Sequence, residues 1–328
     1  MAKFILRRLV LGAFIVFFGA LVAYAIVRCL PTSFVERMAR QLSTQPGARS
    51  YTQLMEQLNR MYGLDDSILE GFFKWCGYAI KGDFGYSWKF NQPVVEKFSS
   101  VIWYSVVINA LTFVLQAVIS VPLGILAARR QYRFTDYFVS VVALIGVSLP
   151  TFFLATILKY IFAVKLGWFD LYGIVGRMHE QMTFWQQALD IGYHLVLPVV
   201  TLMILSIGGL MRYTRANMLE VLNADYIRTA RAKGLSERTV INKHAFRNTL
   251  IPLISYASYL LPAMFGGAMI TETLFQIPGI GYISYQALTQ GDIPFTMFYI
   301  VFLEILTQVS LILADIAYAL ADPRVRIN

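Results

Sequence analysis

Six apolar runs, each near or beyond the roughly 20 residues that a helix needs to cross hydrocarbon, constrain this chain more than any other feature. They are Leu9–Leu30, Val101–Ala128, Tyr137–Leu166, His194–Met211, Ile251–Phe275 and Pro294–Leu320. Lipid offers no partner to a free amide or carbonyl, so each run is expected to close its own hydrogen bonds as a helix. Hydrophobic residues make up 57% of the chain and charged residues 14%, against about 45–50% and about 25% in a soluble domain. The expected class is an all-α polytopic membrane protein with six transmembrane helices. Pro122, Pro150, Pro198 and Pro262 lie inside the runs and are read as packing kinks, which membrane helices tolerate.

The net charge of +9 is unevenly spread. Lys3, Arg7 and Arg8, then Arg129, Arg130 and Arg133, and finally Arg324 and Arg326 fall on one side of the six runs. With them falls a segment holding Arg212, Arg215, Arg228, Arg231, Lys233, Arg238, Lys243 and Arg247. The opposite loops carry Arg177 in one and no Lys or Arg in 276–293. The positive-inside rule then puts both termini and the basic segment in the cytoplasm. The first run resembles a signal peptide in its "AYA" at Ala23–Ala25, but its apolar length exceeds a cleavable core. It is read as a retained anchor.

Residues 31–100 are expected outside the membrane as a helical insertion between the first two spans. "SYTQLMEQLNRMYGLDD" and "SILEGFFKWCGYAIKGD" read as amphipathic helices ended by Gly63 and Gly82. Phe72, Phe73, Trp75 and Tyr78 suit the water–lipid boundary. A surface helix packed on the bundle is the plainer reading, and a docking platform for an external partner the sharper one. Cys29 and Cys76 share this side, where a bond between them is open, but two thiols make neither a disulfide scaffold nor a zinc site.

Enzymatic signatures are missing. The chain has no G-x-x-x-x-G-K-[ST] loop, and "HEQMT" at 179–183 lacks the second histidine of a metalloprotease helix. No cofactor or metal is expected on the chain itself.

The stretch "NADYIRTARAKGLSERTVINKHAFRN" at 223–248 differs from a plain basic loop. Asn223 or Asp225 can cap a helix rich in Ala and Arg, Gly234 can end it, and Ser236 with Glu237 can start a second. Tyr226 and Ala230 stand four apart, an aromatic anchor beside a small residue, as in helices that enter a protein groove. A loop holding anionic lipid is the plainer alternative. A helix-turn-helix reading DNA is disfavoured because the flanking spans confine it to the membrane surface, so nucleic acid is not an expected partner.

"DYIRTARAKGLSERTVINKHAFRNTLIPLI" closely resembles the cytoplasmic signature loop of binding-protein-dependent ABC transporter permeases, and specifically of the dipeptide/oligopeptide/nickel group. "YGLDDSILEGFFKWCGYAIKGDFGYSWKFNQPV", "SVPLGILAARR", "SLPTFF", "TETLFQIPGIGYISYQAL" and "LADPRVRIN" extend the resemblance over nearly the whole chain, as that group's first permease subunit. The resemblance implies an anchor helix at 1–30, an external helical region at 31–100 and a five-helix permease domain at 101–328 with its coupling loop at about 212–250. It implies an inner-membrane location, a second homologous permease subunit, two cytoplasmic ATPases that bind ATP and Mg, and an external solute-binding protein. It assigns ATPase contact to Tyr226, Arg228, Ala230, Arg231, Ala232, Lys233 and Gly234, with Arg238, His244 and Arg247 following. Members of the group serve peptides, nickel complexes, glutathione or oligosaccharides; a peptide is the expected solute. The chain departs from the general permease loop at Arg228-Thr229, where Glu-Ala is usual, and at Gly291, where the group often carries Arg before Asp292.

Glu304 falls mid-span in the last run, where a charge must face protein or water. With Gln116 and Gln308 it is a candidate for the solute pathway, the plainer reading being a buried structural pair. Lys159 and Lys165 are expected to snorkel outward. A self-contained secondary transporter or channel is the competing class, but it would show inverted repeats, and it leaves the basic hairpin without a use.

Overall fold

The computed structural model of the chain describes residues 2–30, 34–46, 49–258 and 260–321. Asp322, Arg324, Arg326 and the Lys3 side chain lie outside that description. The order is α1 (Ala2–Cys29), α2 (Phe34–Ser43), α3 (Tyr51–Met61), α4 (Ile68–Ala79), a two-residue hairpin of β1 (Tyr86–Ser87) and β2 (Gln92–Pro93), then α5 (Val94–Arg129), α6 (Phe134–Ser148) and α7 (Thr151–Leu158). There follow α8 (Phe184–Leu222), α9 (Asp225–Ala232), α10 (Glu237–Thr239), α11 (Phe246–Ser258), α12 (Leu260–Gly266), α13 (Met269–Phe275), α14 (Ile280–Thr289) and α15 (Ile293–Ala321). Among the described residues, four helices are long and apolar enough to cross a membrane, or up to six spans if two broken pairs each count as one.

Two of the six expected spans are broken, where the sequence reading expected only proline kinks. The third run bends by 99° between α6 and α7. Pro150 has no N–H, and Leu149 before it is held extended at φ −78, ψ 133, the geometry that proline imposes on its predecessor. Pro122 and Pro198, in contrast, stay inside α5 and α8. The fifth run stops at Gly267, whose φ of +71 suits only glycine. The fourth run is longer than its apolar stretch suggests, because α8 continues in helix to Leu222.

Two compact units emerge. The first gathers described residues from 1–103 and 280–309. In it, Ala20, Tyr24, Phe72, Met297 and Val301 form one apolar cluster, and Val35, Ala39 and Leu58 pack α2 against α3. Ser50 and Ser67 cap α3 and α4 by accepting from Gln53 and Glu70 amides, and Gly63 and Gly82 follow the helices at positive φ. The sequence reading missed α2, a short helix in which Glu36, Arg37 and Arg40 interrupt the apolar residues. Phe72 is buried, but Leu69, Phe73, Tyr78 and Ile80 remain exposed. Cys29 and Cys76 are free thiols. Asp292 is fully buried: it accepts from the Ser87 hydroxyl and from the amides of Lys89 (3.1 Å) and Phe295 (3.2 Å). Burial pushes its carboxyl above the usual range against those hydrogen bonds.

The second unit gathers 104–279 and described residues from 310 onward. Here α6 and α8 approach closely through glycine: a β-carbon on Gly146 would lie 2.7 Å from the Ile204 carbonyl oxygen, and one on Gly208 would strike the Ala143 carbonyl. The same helices are joined by Arg215, which donates to both Asp136 oxygens at 2.6 and 2.7 Å. Ile108, Ala155, Leu195, Val199 and Phe275 form a second core.

Candidate functional site

The basic hairpin is built on a core of its own. Ile227 and Ala230 from α9 pack with Val240, Ile241 and Ala245, and the same cluster takes in Met218 of α8 and Ala128 of α5. Positions 227 and 230 lie three apart, so one helical face supplies both. Thr249 adds a hydroxyl donated to the Ala245 carbonyl at 3.1 Å.

The joints follow the sequence with one exception. Gly234 ends α9 at φ +76, and Ser236 caps α10 by accepting from the Thr239 amide at 3.3 Å. Neither Asn223 nor Asp225 caps α9. The N-cap is Ala224, with no side-chain bond, and Asp225 stands in the first turn, where its charge favours the positive helix end. Beyond α10 the chain forms a π-helical turn, Val240–Ala245, before α11.

The core decides which side chains can reach a partner. Tyr226, Arg228, Arg231, Ala232, Lys233, Gly234, Arg238 and Arg247 are exposed and His244 is partly so. Ala230 is only 6% exposed and faces the hairpin's own core, so it does not share an outer face with Tyr226. Arg231 is engaged by Glu237 at 2.7 Å; Lys233 forms no ion pair among the described residues. Leu235 stands 40% exposed beside Gly234, an apolar residue in a polar turn that the sequence reading passed over.

The candidate pathway residues divide between the units. In the first, Glu304 and Gln308 lie one turn apart on α15, each against a glycine of α1. Gln308 comes within 3.5 Å of where a Gly12 β-carbon would be, and the Glu304 carboxylate occupies the space a Gly19 side chain would need. One oxygen of Glu304 is buried with no hydrogen-bond partner. In the second unit, Gln116 is 4% exposed and donates to the Ser206 carbonyl at 2.9 Å, the behaviour of a helix-packing residue.

Lys159 corrects the expectation of snorkelling. It is 9% exposed, and its ammonium donates to the Leu274 carbonyl at 2.6 Å. Lys165 is exposed as expected. Glu272, which the sequence reading did not single out, is fully buried and accepts from the Ser105 hydroxyl at 2.6 Å and the Ala268 amide at 2.8 Å. It bridges the break before α13, and no local pattern announces a partner 167 residues away.

Residues 120–327 match the family described as the binding-protein-dependent transport system inner membrane component. The chain is 34% identical, over 99% of itself and 99% of the relative, to the oligopeptide transport system permease protein AppB of Bacillus subtilis (strain 168). A putative peptide transport system permease protein of Brucella abortus (strain 2308) is 31% identical over the same shares. Among solved structures, a chain of the MetNI methionine ABC transporter in inward-facing conformations aligns with a TM-score of 0.51 at 18% identity, covering 70% of this chain and 97% of that one. That last likeness speaks for the fold alone.

Proposed function

Since the chain belongs to the family of binding-protein-dependent transport system inner membrane components, it is a multi-pass permease of an ABC importer, and we propose that the solute it carries is a peptide. The names of the relatives support that choice of solute. The proposed assembly pairs this chain with a second homologous permease, two cytoplasmic ATPases and an external binding protein. ATP and Mg reside on the ATPases, both termini and the basic hairpin face the cytoplasm, and 31–100 lies outside. The domain limits are 1–30, 31–100 and 101–328.

The hairpin is the coupling element, its contact surface being Tyr226, Arg228, Arg231, Ala232, Lys233, Gly234 and Leu235, with Arg238, His244 and Arg247 on the following arm. Ala230 supports that surface from within. The observation that carries this reading is the apolar core under a basic rim that exposes one large apolar side chain, Leu235. A solvated loop needs charge alone, whereas a lever needs rigidity. Because the core includes Met218 and Ala128, displacement of the hairpin pushes on the ends of α8 and α5 together. ATPase closure, a rigid-body motion, is thereby passed to the spans that switch access. Glu304 and Gln308 remain the pathway candidates, while the hydrogen bond of Gln116 favours a packing role.

The test is charge reversal at Lys233, which breaks no internal ion pair, whereas reversal at Arg231 would also sever Glu237. Lys233→Glu is expected to leave membrane abundance normal and to reduce peptide uptake about tenfold or more while ATP hydrolysis continues. Undiminished uptake would count against the docking surface.

A further inference from the structure

Lys159 is a charge in a membrane segment that coupling does not use. It opens the π-helical turn Lys159–Lys165 in the second arm of the broken third span. An ammonium has three donors, and here one hydrogen bond is made, to the Leu274 carbonyl. Two aromatic rings also flank it: the nitrogen lies 4.0 Å from the Tyr172 ring centre and 5.3 Å from that of Phe275. No carboxylate pairs with it among the described residues. The Leu274 carbonyl belongs to the last turn of α13, an end that favours a cation, and this accounts for one donor but leaves two.

A groove opens beside the ammonium, with Thr156, Tyr160, Tyr172 and Thr273 along it. Tyr160 and Tyr172 are 52% and 51% exposed. Val164, Leu171 and Leu274 complete the lining, and Thr156 and Thr273 donate their hydroxyls to their own helices. The groove therefore offers an ammonium and tyrosines among aliphatic side chains, a match for a solute with a charged end and an apolar body. A lysine held inward without a counter-ion, over two aromatic faces, is prepared for an anion that arrives and leaves.

We propose that Lys159 binds the terminal carboxylate of the transported peptide in this groove, the Tyr172 ring holding the ammonium in place between solutes. The inference rests on the peptide reading above and adds the chemistry by which the permease itself selects. A structural lysine would affect all solutes alike; a carboxylate receptor affects only those that carry the group.

The experiment uses the complete transporter with its binding protein, and compares uptake of a peptide with uptake of its C-terminal amide. Lys159→Gln is expected to lower acid uptake about tenfold or more, the loss of one charge-assisted hydrogen bond, and amide uptake less than about twofold. Lys159→Arg, which keeps the charge, should retain most of the acid preference. The ratio between wild type and variant cancels whatever preference the binding protein has. In parallel, carbodiimide added after the free-acid peptide has bound the assembled transporter should join the peptide carboxyl to the Lys159 amine as an amide, with the carboxyl oxygen leaving in the urea. The adduct is read by mass spectrometry, so that a binding protein refusing amides does not blunt the test. Equal loss for acid and amide, or no change in either, with no adduct on Lys159, overturns the proposal and leaves the peptide reading standing. Absence of any peptide uptake by the wild-type assembly overturns the peptide reading itself.

Discussion

The hairpin at 223–248 and the carboxylates of the first unit treat charge in opposite ways. In the hairpin Ile227, Ala230, Val240, Ile241 and Ala245 are inside, Leu235 is exposed at the turn, and the arginines and Lys233 are at the rim, where water satisfies them at little cost. In the first unit Asp292 is buried and Glu304 half-buried. Asp292 is met by three donors; Glu304 keeps an unpartnered buried oxygen against Gly19. A rim charge can be offered to another protein without disturbing the fold. A satisfied buried charge is part of the fold, and an unsatisfied one stays costly until something else uses it.

That contrast predicts an order of effects on stability. Asp292→Ala should be the most damaging, because it strands the Ser87 hydroxyl and two amides. The expected cost is about 3 kcal/mol or more, seen as a lower unfolding temperature and as earlier proteolysis around 87–93. Should the variant unfold like wild type, the three donors must have other partners and the contrast fails. Gly19→Ala comes next. The Glu304 carboxylate ends a flexible chain and can swing aside, so the cost is about 1 kcal/mol, and adding Glu304→Ala should recover most of it. A double variant no better than Gly19→Ala alone would show that the glycine serves something other than the carboxylate. Lys233→Glu stands last, with no measurable change in unfolding despite its loss of transport.

The same contrast explains what could be read from the sequence. The apolar runs, the hairpin with Gly234 and Ser236, and the two amphipathic helices followed by Gly63 and Gly82 are local patterns, and each appears in the structure. Where the reading failed, the cause lay elsewhere in the chain. Prolines 122, 150 and 198 look alike in sequence, yet only Pro150 begins a new helix at a sharp bend, because packing decides whether a helix resumes in line. Lys159 was expected to reach outward, since its attraction to Leu274, Tyr172 and Phe275 crosses more than a hundred residues on two of its three contacts. Asp292 and Glu272 are invisible as anchors for the same reason, with Ser87 and Ser105 as remote partners. Ala230 does share a face with Ile227, as their three-residue spacing predicts, but that face is turned to the hairpin's own core and not to a partner.

The central claim is that the exposed turn around Gly234 touches the ATPase, and the most direct measurement is site-specific cross-linking there. Lys233→Cys, with Cys29 and Cys76 replaced by Ser, would be labelled with a maleimide-benzophenone in the assembled transporter and illuminated. The account predicts an adduct to an ATPase subunit whose yield changes between nucleotide-free and ATP-bound states. An assembled, transporting complex in which position 233 labels fully but never couples to an ATPase would contradict it.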